Sequence, residues 1–209
     1  KKVTGKIPAM SKEEAVKGGL LKIIDTDVDE AYLEMIGRYL VRRELIEGLG
    51  ENFKVVFTPL HGTGAMLVEE ALRRINVGFV TVPEQREPDG NFPTVSSPNP
   101  EEAAALRMAI ELARKEDADM VMATDPDSDR LGVAVNEGGD FTLLSGNQLG
   151  ALLCDYVFTT RKELGTLPES AAFVKTIVTT ELQRRIAESY GAKVYDVLTG
   201  FKYIGEKMR

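Results

Sequence analysis

The sequence contains no tryptophan, one cysteine and one histidine among its 209 residues. A single cysteine, Cys154, cannot form an internal disulfide and excludes a zinc site built from several cysteines. Because Cys154 lies in the apolar run 149–154, we expect a buried structural thiol and a cytoplasmic location. No apolar run approaches the ~20 residues of a membrane-spanning helix, so we expect no membrane partner.

Basic residues are fewer than acidic ones, 26 against 33. The formal net charge is -7, so nucleic acid is not an expected partner. Hydrophobic residues make up 43% and charged residues 28%, which is the balance of an ordinary globular protein. The length is sufficient for one or two α/β domains.

Short β-rich runs alternate with helical patterns along the first two thirds of the chain. Strands are predicted at 53–58, 78–82 and 119–124, and helices at 27–46, 65–75 and 101–115. The first helix has possible N-cap groups at 25–27 and ends at Gly48 and Gly50. The loop 83–100 is much longer than the usual ~4–6 residues, which indicates a functional or interdomain role.

A second α/β unit is predicted after a hairpin centred on residues 137–139. It comprises a helix to about residue 163, a strand at 171–175, a helix at 179–190, a strand at 193–196 and a turn at 198–202. The alternation predicts an α/β fold of two similar three-layer α/β/α domains with mixed, mostly parallel sheets. We expect a connecting segment at 1–26, one domain at 27–140 and a truncated domain at 141–209.

Three aspartates, Asp125, Asp127 and Asp129, alternate in the loop that follows the third predicted strand. Their mutual repulsion favours a bound cation, and hard oxygen ligands suit Mg²⁺ or Ca²⁺ better than zinc. Arg130 adds a planar donor suited to phosphate or carboxylate. Ligands of open α/β sheets bind beyond the carboxyl ends of the strands, where this loop is expected to lie.

Other interpretations of the acidic loop are a solvated turn, a helix cap, a phosphatase nucleophile or a non-enzymatic Ca²⁺ domain. An EF-hand starting at Asp125 fails, because Arg130 and Asn136 occupy the positions of its glycine and glutamate. A phosphatase of the haloacid dehalogenase type would use Asp125 as nucleophile. That family has Thr or Val four residues later, where this chain has Asp129.

Four motifs resemble the α-D-phosphohexomutase superfamily, to which phosphoglucomutases and phosphomannomutases belong. They occur in the family's order at residues 58–64 (TPLHGTG), 88–101 (with PDGNFP and PNPE), 124–132 (TDPDSDRLG) and 199–204 (TGFKYI). The Leu-His-Gly and Gly-Phe-Lys variants are more similar to the phosphoglucomutase/phosphopentomutase branch than to bacterial phosphomannomutases.

The resemblance implies a four-domain parent of which this chain supplies the second domain and most of the third. Domains I and IV would be its partners within one polypeptide. The phosphoserine loop and the Gly-Glu-Glu-Ser-Gly type loop of the family are not found in the sequence. We therefore expect the chain alone to bind metal weakly and to lack mutase turnover.

The resemblance also implies residue roles. Asp125, Asp127 and Asp129 would hold Mg²⁺, and Arg130 and Lys202 would be catalytic. Substrate-binding residues would be Thr199, Gly200 and Lys202, and the substrate would be a hexose or pentose monophosphate with its bisphosphate. An ordinary solvated lysine is the alternative for Lys202. His61 either packs under its own turn or contacts the first domain.

Overall fold

The computed structural model describes residues 9–24, 26–49 and 53–208. By its internal contacts the chain divides into two compact units, Lys1–Tyr39 and Leu40–Arg209. Asp25, a predicted N-cap, lies outside the described residues, as do residues 1–8 of the predicted connecting segment.

The first unit contains helices α1 (Lys12–Lys17) and α2 (Thr26–Gly37). Ser11 and Glu14 form a reciprocal capping box that fixes the start of α1. The helix predicted across 27–46 was wrong in extent, because α2 ends at Gly37. Glycine is a poor helix former, and a separate helix, α3 (Arg43–Glu47), begins in the second unit.

The second unit begins its main sheet with β1 (Lys54–Thr58) and β2 (Gly78–Thr81). The remaining strands are β3 (Met120–Thr124), β4 (Leu131–Glu137) and β5 (Asp140–Leu144), and the spatial order is β2-β1-β3-β4-β5. Strand β1 runs parallel to both β2 and β3, whereas β4 and β5 are added in antiparallel fashion.

Helices α4 (Ala65–Arg74) and α6 (Ala103–Lys115) pack on this sheet, α4 against β2 and α6 against β1 and β3. Residues 55–58 of β1 are all buried. Since neighbouring residues of a strand point to opposite faces, both faces of β1 are covered, as in an α/β/α sandwich. The predicted long loop also contains a short helix, α5 (Pro83–Arg86).

The remainder of this unit starts with α7 (Gly146–Glu163), whose N-terminus is fixed by a capping box of Ser145 and Gln148. Strand β6 (Ala172–Thr176) pairs in parallel with β7 (Lys193–Val197), and α8 (Glu181–Ser189) and α9 (Phe201–Lys207) follow them. Cys154 lies in the small core of this part, which confirms the prediction of a buried thiol.

The predicted fold class is confirmed. Of the five strand pairings among the described residues, three are parallel, so the sheets are mixed and mostly parallel. The turn predicted at 198–202 was wrong in its second half, since α9 begins at Phe201. Within the described ranges, no helix has the length and apolar character needed to cross a membrane.

Candidate metal centre

The acidic loop 125–130 starts where β3 ends, beside the turn 59–64 that follows β1. Because β1 and β3 are adjacent and parallel, both loops emerge at the same edge of the sheet. The backbone N–H and the hydroxyl of Thr63 both donate to the carbonyl oxygen of Pro126, at 2.9 and 3.1 Å. The turn after β1 therefore supports the acidic loop directly.

Two glycines allow this close contact. A Cβ on Gly62 would lie 2.3 Å from the Cα of Pro126. A Cβ on Gly64 would lie 2.6 Å from the hydroxyl oxygen of Thr124 and 2.8 Å from that of Ser128. A side chain at Gly62 would meet backbone and force the two loops apart, whereas one at Gly64 would displace the hydroxyl groups of Thr124 and Ser128.

The three predicted metal ligands converge. Asp125 is 1% exposed, whereas Asp127 and Asp129 are exposed. One carboxylate oxygen from each residue lies within 4.8 Å of the others. An all-oxygen, anionic set of this kind fits a hard divalent cation such as Mg²⁺ or Ca²⁺.

Arg130 holds the buried carboxylate of Asp125 in place. Its backbone N–H donates to Oδ1 of Asp125 at 3.0 Å, and its Nε donates to Oδ2 at 2.9 Å. Each carboxylate oxygen has two lone pairs, so both oxygens of Asp125 keep acceptor capacity for a cation. The Arg130 side chain is 51% exposed and its Nε also lies 3.7 Å from an oxygen of Asp129.

Asp125 and Asp129 have pKa shifts in opposite directions. Burial raises the pKa of Asp125, but hydrogen bonds and positive charge from Arg130 outweigh it and hold the pKa below the usual value. A hydrogen bond to Asp125 and the negative charges of Asp125 and Asp127 raise the pKa of Asp129. The loop thus holds more negative charge than Arg130 alone compensates, which is a favourable setting for a cation.

His61 is 4% exposed and adopts a left-handed backbone conformation, with φ of 63°. Its backbone N–H donates to the carbonyl of Gln85 at 2.9 Å, and its Nε2 lies 2.8 Å from the hydroxyl of Thr94. These bonds join the turn after β1 to the long loop 83–100. The packing interpretation of His61 accounts for these contacts.

Gln85, which sequence reasoning did not identify, completes the same support. It is fully buried, accepts a hydrogen bond from the Thr58 hydroxyl at 2.7 Å and donates to Thr94 at 2.9 Å. A polar residue within a Pro-rich loop gives no pattern that reveals such a role. The supporting role of Gln85 is visible only from its position beneath the end of β1.

The other predicted site residues lie at the start of α9. Gly200 has a φ of 132°, a conformation that favours glycine, and precedes the first residue of the helix. Lys202 is exposed, and its Nζ lies 4.8 Å from the ring centroid of Tyr203. Thr199 is exposed as well. These three residues are not part of the aspartate cluster.

The comparisons with known families cover most of the chain. Residues 30–139 match the family model "Phosphoglucomutase/phosphomannomutase, alpha/beta/alpha domain II", and residues 145–209 match the corresponding model of domain III.

Curated relatives give the same result. A phosphoglucomutase of Staphylococcus saprophyticus is 40% identical over 194 residues, which cover 91% of this chain and 34% of the relative. A phosphoglucomutase of Staphylococcus aureus (strain N315) is 41% identical over 160 residues, covering 76% of this chain and 28% of the relative. The chain thus spans about a third of the length of the curated relatives it matches.

Among solved structures, a putative phosphomannomutase from Thermus thermophilus superposes with a TM-score of 0.64 at 26% identity. The match covers 86% of this chain and 38% of that structure. A family protein from Burkholderia thailandensis has the same fold, with a TM-score of 0.62 at 22% identity over 83% of this chain and 35% of its own.

Proposed function

The chain belongs to the phosphoglucomutase/phosphomannomutase family, within the α-D-phosphohexomutase superfamily, and on this premise we propose that it carries the metal loop of a phosphosugar mutase. The whole protein would move a phosphoryl group between the 1- and 6-positions of a hexose phosphate. It would do so through a phosphoserine and a sugar bisphosphate. The observation that carries the proposal is the convergence of three aspartate oxygens beside Arg130.

Asp125, Asp127 and Asp129 would hold the cation, which we propose to be Mg²⁺. When bound, Mg²⁺ supplies neutralisation of negative charge on a transferring phosphoryl group. The residues of this chain would position the carboxylates around the cation. Asp125 is fixed by two hydrogen bonds from Arg130, and a carboxylate oxygen of each exposed aspartate lies within 4.8 Å of an oxygen of Asp125.

Arg130 and Lys202 would be the catalytic residues of this part of the cleft. The half-exposed guanidinium of Arg130 would contact the phosphoryl group or the reacting sugar hydroxyl. Lys202 would act near the reacting oxygen, and Thr199, Gly200 and Lys202 would bind the substrate. The phosphoserine would come from another domain, which His61 could contact through its turn.

Residues 27–140 would form the metal-carrying domain and residues 141–209 part of the next, with 1–26 as a connecting segment. The two family matches, at residues 30–139 and 145–209, support the boundary near residue 140.

The metal proposal is tested by calorimetric titration of Mg²⁺ into the chain and into Asp127→Asn. We expect the variant to lose the binding heat, because it removes one of three charged ligands. Asp140→Asn is the matched control, since Asp140 is an exposed aspartate outside the cluster, with a side chain 97% exposed. Equal heats from the chain and Asp127→Asn would overturn the metal assignment.

The two alternative functions predict different results in simple assays. A calcium-binding domain would show strong preference for Ca²⁺ over Mg²⁺ and no effect of phosphosugars. A phosphatase would hydrolyse a chromogenic phosphate ester and lose that activity in Asp125→Asn. We expect neither result from this chain.

A further inference from the structure

The motif at residues 98–101 lies directly against the strand that leaves the acidic loop. A Cβ on Gly132, the second residue of β4, would lie only 2.1 Å from the carbonyl oxygen of Pro100. Gly132 follows Arg130 by two residues, so the motif 98–101 packs close to the backbone of Arg130. This contact explains why no side chain is possible at position 132.

The side chain of Asn99 is fixed at both ends of its amide. Its Oδ1 accepts hydrogen bonds from the backbone N–H of Glu101 at 3.1 Å and from Nη1 of Arg130 at 3.4 Å. Its Nδ2 donates to Oε1 of Glu102 at 3.2 Å, and the same oxygen accepts from the hydroxyl of Ser97 at 3.1 Å. The amide oxygen therefore faces Arg130 in a defined direction.

The guanidinium of Arg130 is consequently held at two separate nitrogens. Nε is bonded to Asp125, and Nη1 is bonded to Asn99. Because the guanidinium is planar, two contacts fix the orientation of the plane, whereas one contact leaves it free to turn. In the part of the chain that the structure describes, Nη2 has no hydrogen-bond partner, so it remains available to a ligand.

We propose that Asn99 is a positioning residue that orients the guanidinium of Arg130 so that Nη2 is presented to an anionic oxygen. This proposal rests on the function proposed for Arg130, which would contact a phosphoryl or phosphosugar oxygen. An arginine recognises a phosphoryl oxygen through N–H groups that point in fixed directions. If the guanidinium could rotate, part of this specificity would be lost.

The competing explanation is that Asn99 only stabilises its own turn. Its bond to the N–H of Glu101, two residues on, is a common turn device of asparagine. The two explanations predict different effects on Nη1 of Arg130 when the Asn99 side chain is removed. Removing a purely local turn bond would leave the Nη1 group of Arg130 unaffected or would disturb the whole loop, including Nε.

The test is ¹⁵N NMR of the arginine-labelled chain at low temperature, without metal or phosphosugar. The Arg130 signals are assigned by their disappearance in Arg130→Lys. In Asn99→Ala we expect the Nη signals of Arg130 to lose their dispersion and merge into an averaged signal. The Nε signal, held by Asp125, should keep its position.

Two further variants serve as controls. Ser97→Ala removes a different bond of the same turn and should leave every Arg130 signal unchanged. Asn99→Asp keeps the Oδ1 acceptor and should retain the Nη dispersion, whereas it loses the bond from Nδ2 to Glu102. Unchanged Nη signals in Asn99→Ala, or an equal shift of Nε, would overturn the proposal.

The experiment contains no cation and no substrate, so its outcome is independent of the magnesium titration. Failure of the titration would remove the proposed metal site and leave the Asn99–Arg130 contact standing. Failure of the NMR test would remove the positioning role alone.

Discussion

Asp125 differs from its two neighbours in the acidic loop because it is buried and hydrogen-bonded to Arg130. Its carboxylate accepts from the backbone and the side chain of Arg130, and these bonds hold its pKa below the usual value against the effect of burial. Asp127 and Asp129 are exposed. The same residue type is therefore buried and paired with an arginine at one position of the loop and faces solvent at the other two.

Asp125→Asn tests this difference by urea unfolding. An asparagine cannot accept from both donors of Arg130 without placing its own amide against one of them. We expect a loss of about 1–3 kcal/mol of unfolding free energy. Asp127→Asn, which changes an exposed side chain in the same loop, should stay within about 0.5 kcal/mol of the parent chain. Equal losses in both variants would contradict the assignment.

At the scale of elements, the acidic loop depends on the turn that follows β1. Gly62→Ala would place a Cβ 2.3 Å from the Cα of Pro126, and the Pro126 atoms that it meets all belong to the backbone. We expect a destabilisation of about 1–3 kcal/mol with weakened metal binding, because the loops must separate.

Gly90→Ala is the matched control for this prediction. A Cβ at Gly90 meets nothing within 4 Å, so thermal unfolding and calorimetry should show little change. If Gly62→Ala behaved like Gly90→Ala, the support of the acidic loop by this turn would be refuted.

Helix α4 is tied to β2 and α5 through one buried carboxylate. Glu69 is 4% exposed and accepts hydrogen bonds from Thr81 at 2.9 Å and from Nε and Nη2 of Arg86 at 2.9 and 3.0 Å. Burial raises the pKa of Glu69, but the hydrogen bonds from Arg86 and Thr81 outweigh this effect and hold the pKa below its usual value.

This shift predicts a pH dependence of stability. Since the pKa of Glu69 is lower in the folded chain than in the unfolded one, its contribution is complete above the unfolded value. It is lost as the pH falls below the unfolded pKa and through the lower folded pKa. Urea midpoints measured from neutral to acidic pH should therefore converge between the parent chain and Glu69→Gln. Parallel curves would contradict this contribution.

At the scale of the whole molecule, the proposed function would use a phosphoserine from another domain. The chain spans about a third of the curated phosphoglucomutases it matches. We expect no conversion of glucose 1-phosphate by the chain alone, even with a sugar bisphosphate as primer, because the phosphoserine would lie in another domain. A coupled assay for glucose 6-phosphate tests this, and robust turnover would refute it.

Local sequence patterns were sufficient to predict the fold class and the acidic loop of this protein. Alternating strands and helices predicted the fold class, because each element shows its own spacing of hydrophobic residues within a short stretch of sequence. The acidic loop was found for the same reason, since Asp125, Asp127 and Asp129 lie together in the sequence. The helix predicted across 27–46 failed where one glycine, Gly37, ended α2 within a continuing helical pattern.

The sequence by itself determined the α/β class, the family resemblance and the position of the candidate metal loop. The tertiary structure decided which aspartate is buried, why Gly62 must face Pro126, and that Asn99 reaches Arg130 across 31 residues of chain. These contacts depend on the register of β1, β3 and β4 at one edge of the sheet. No local periodicity encodes that register, because it is set by packing between segments far apart in sequence.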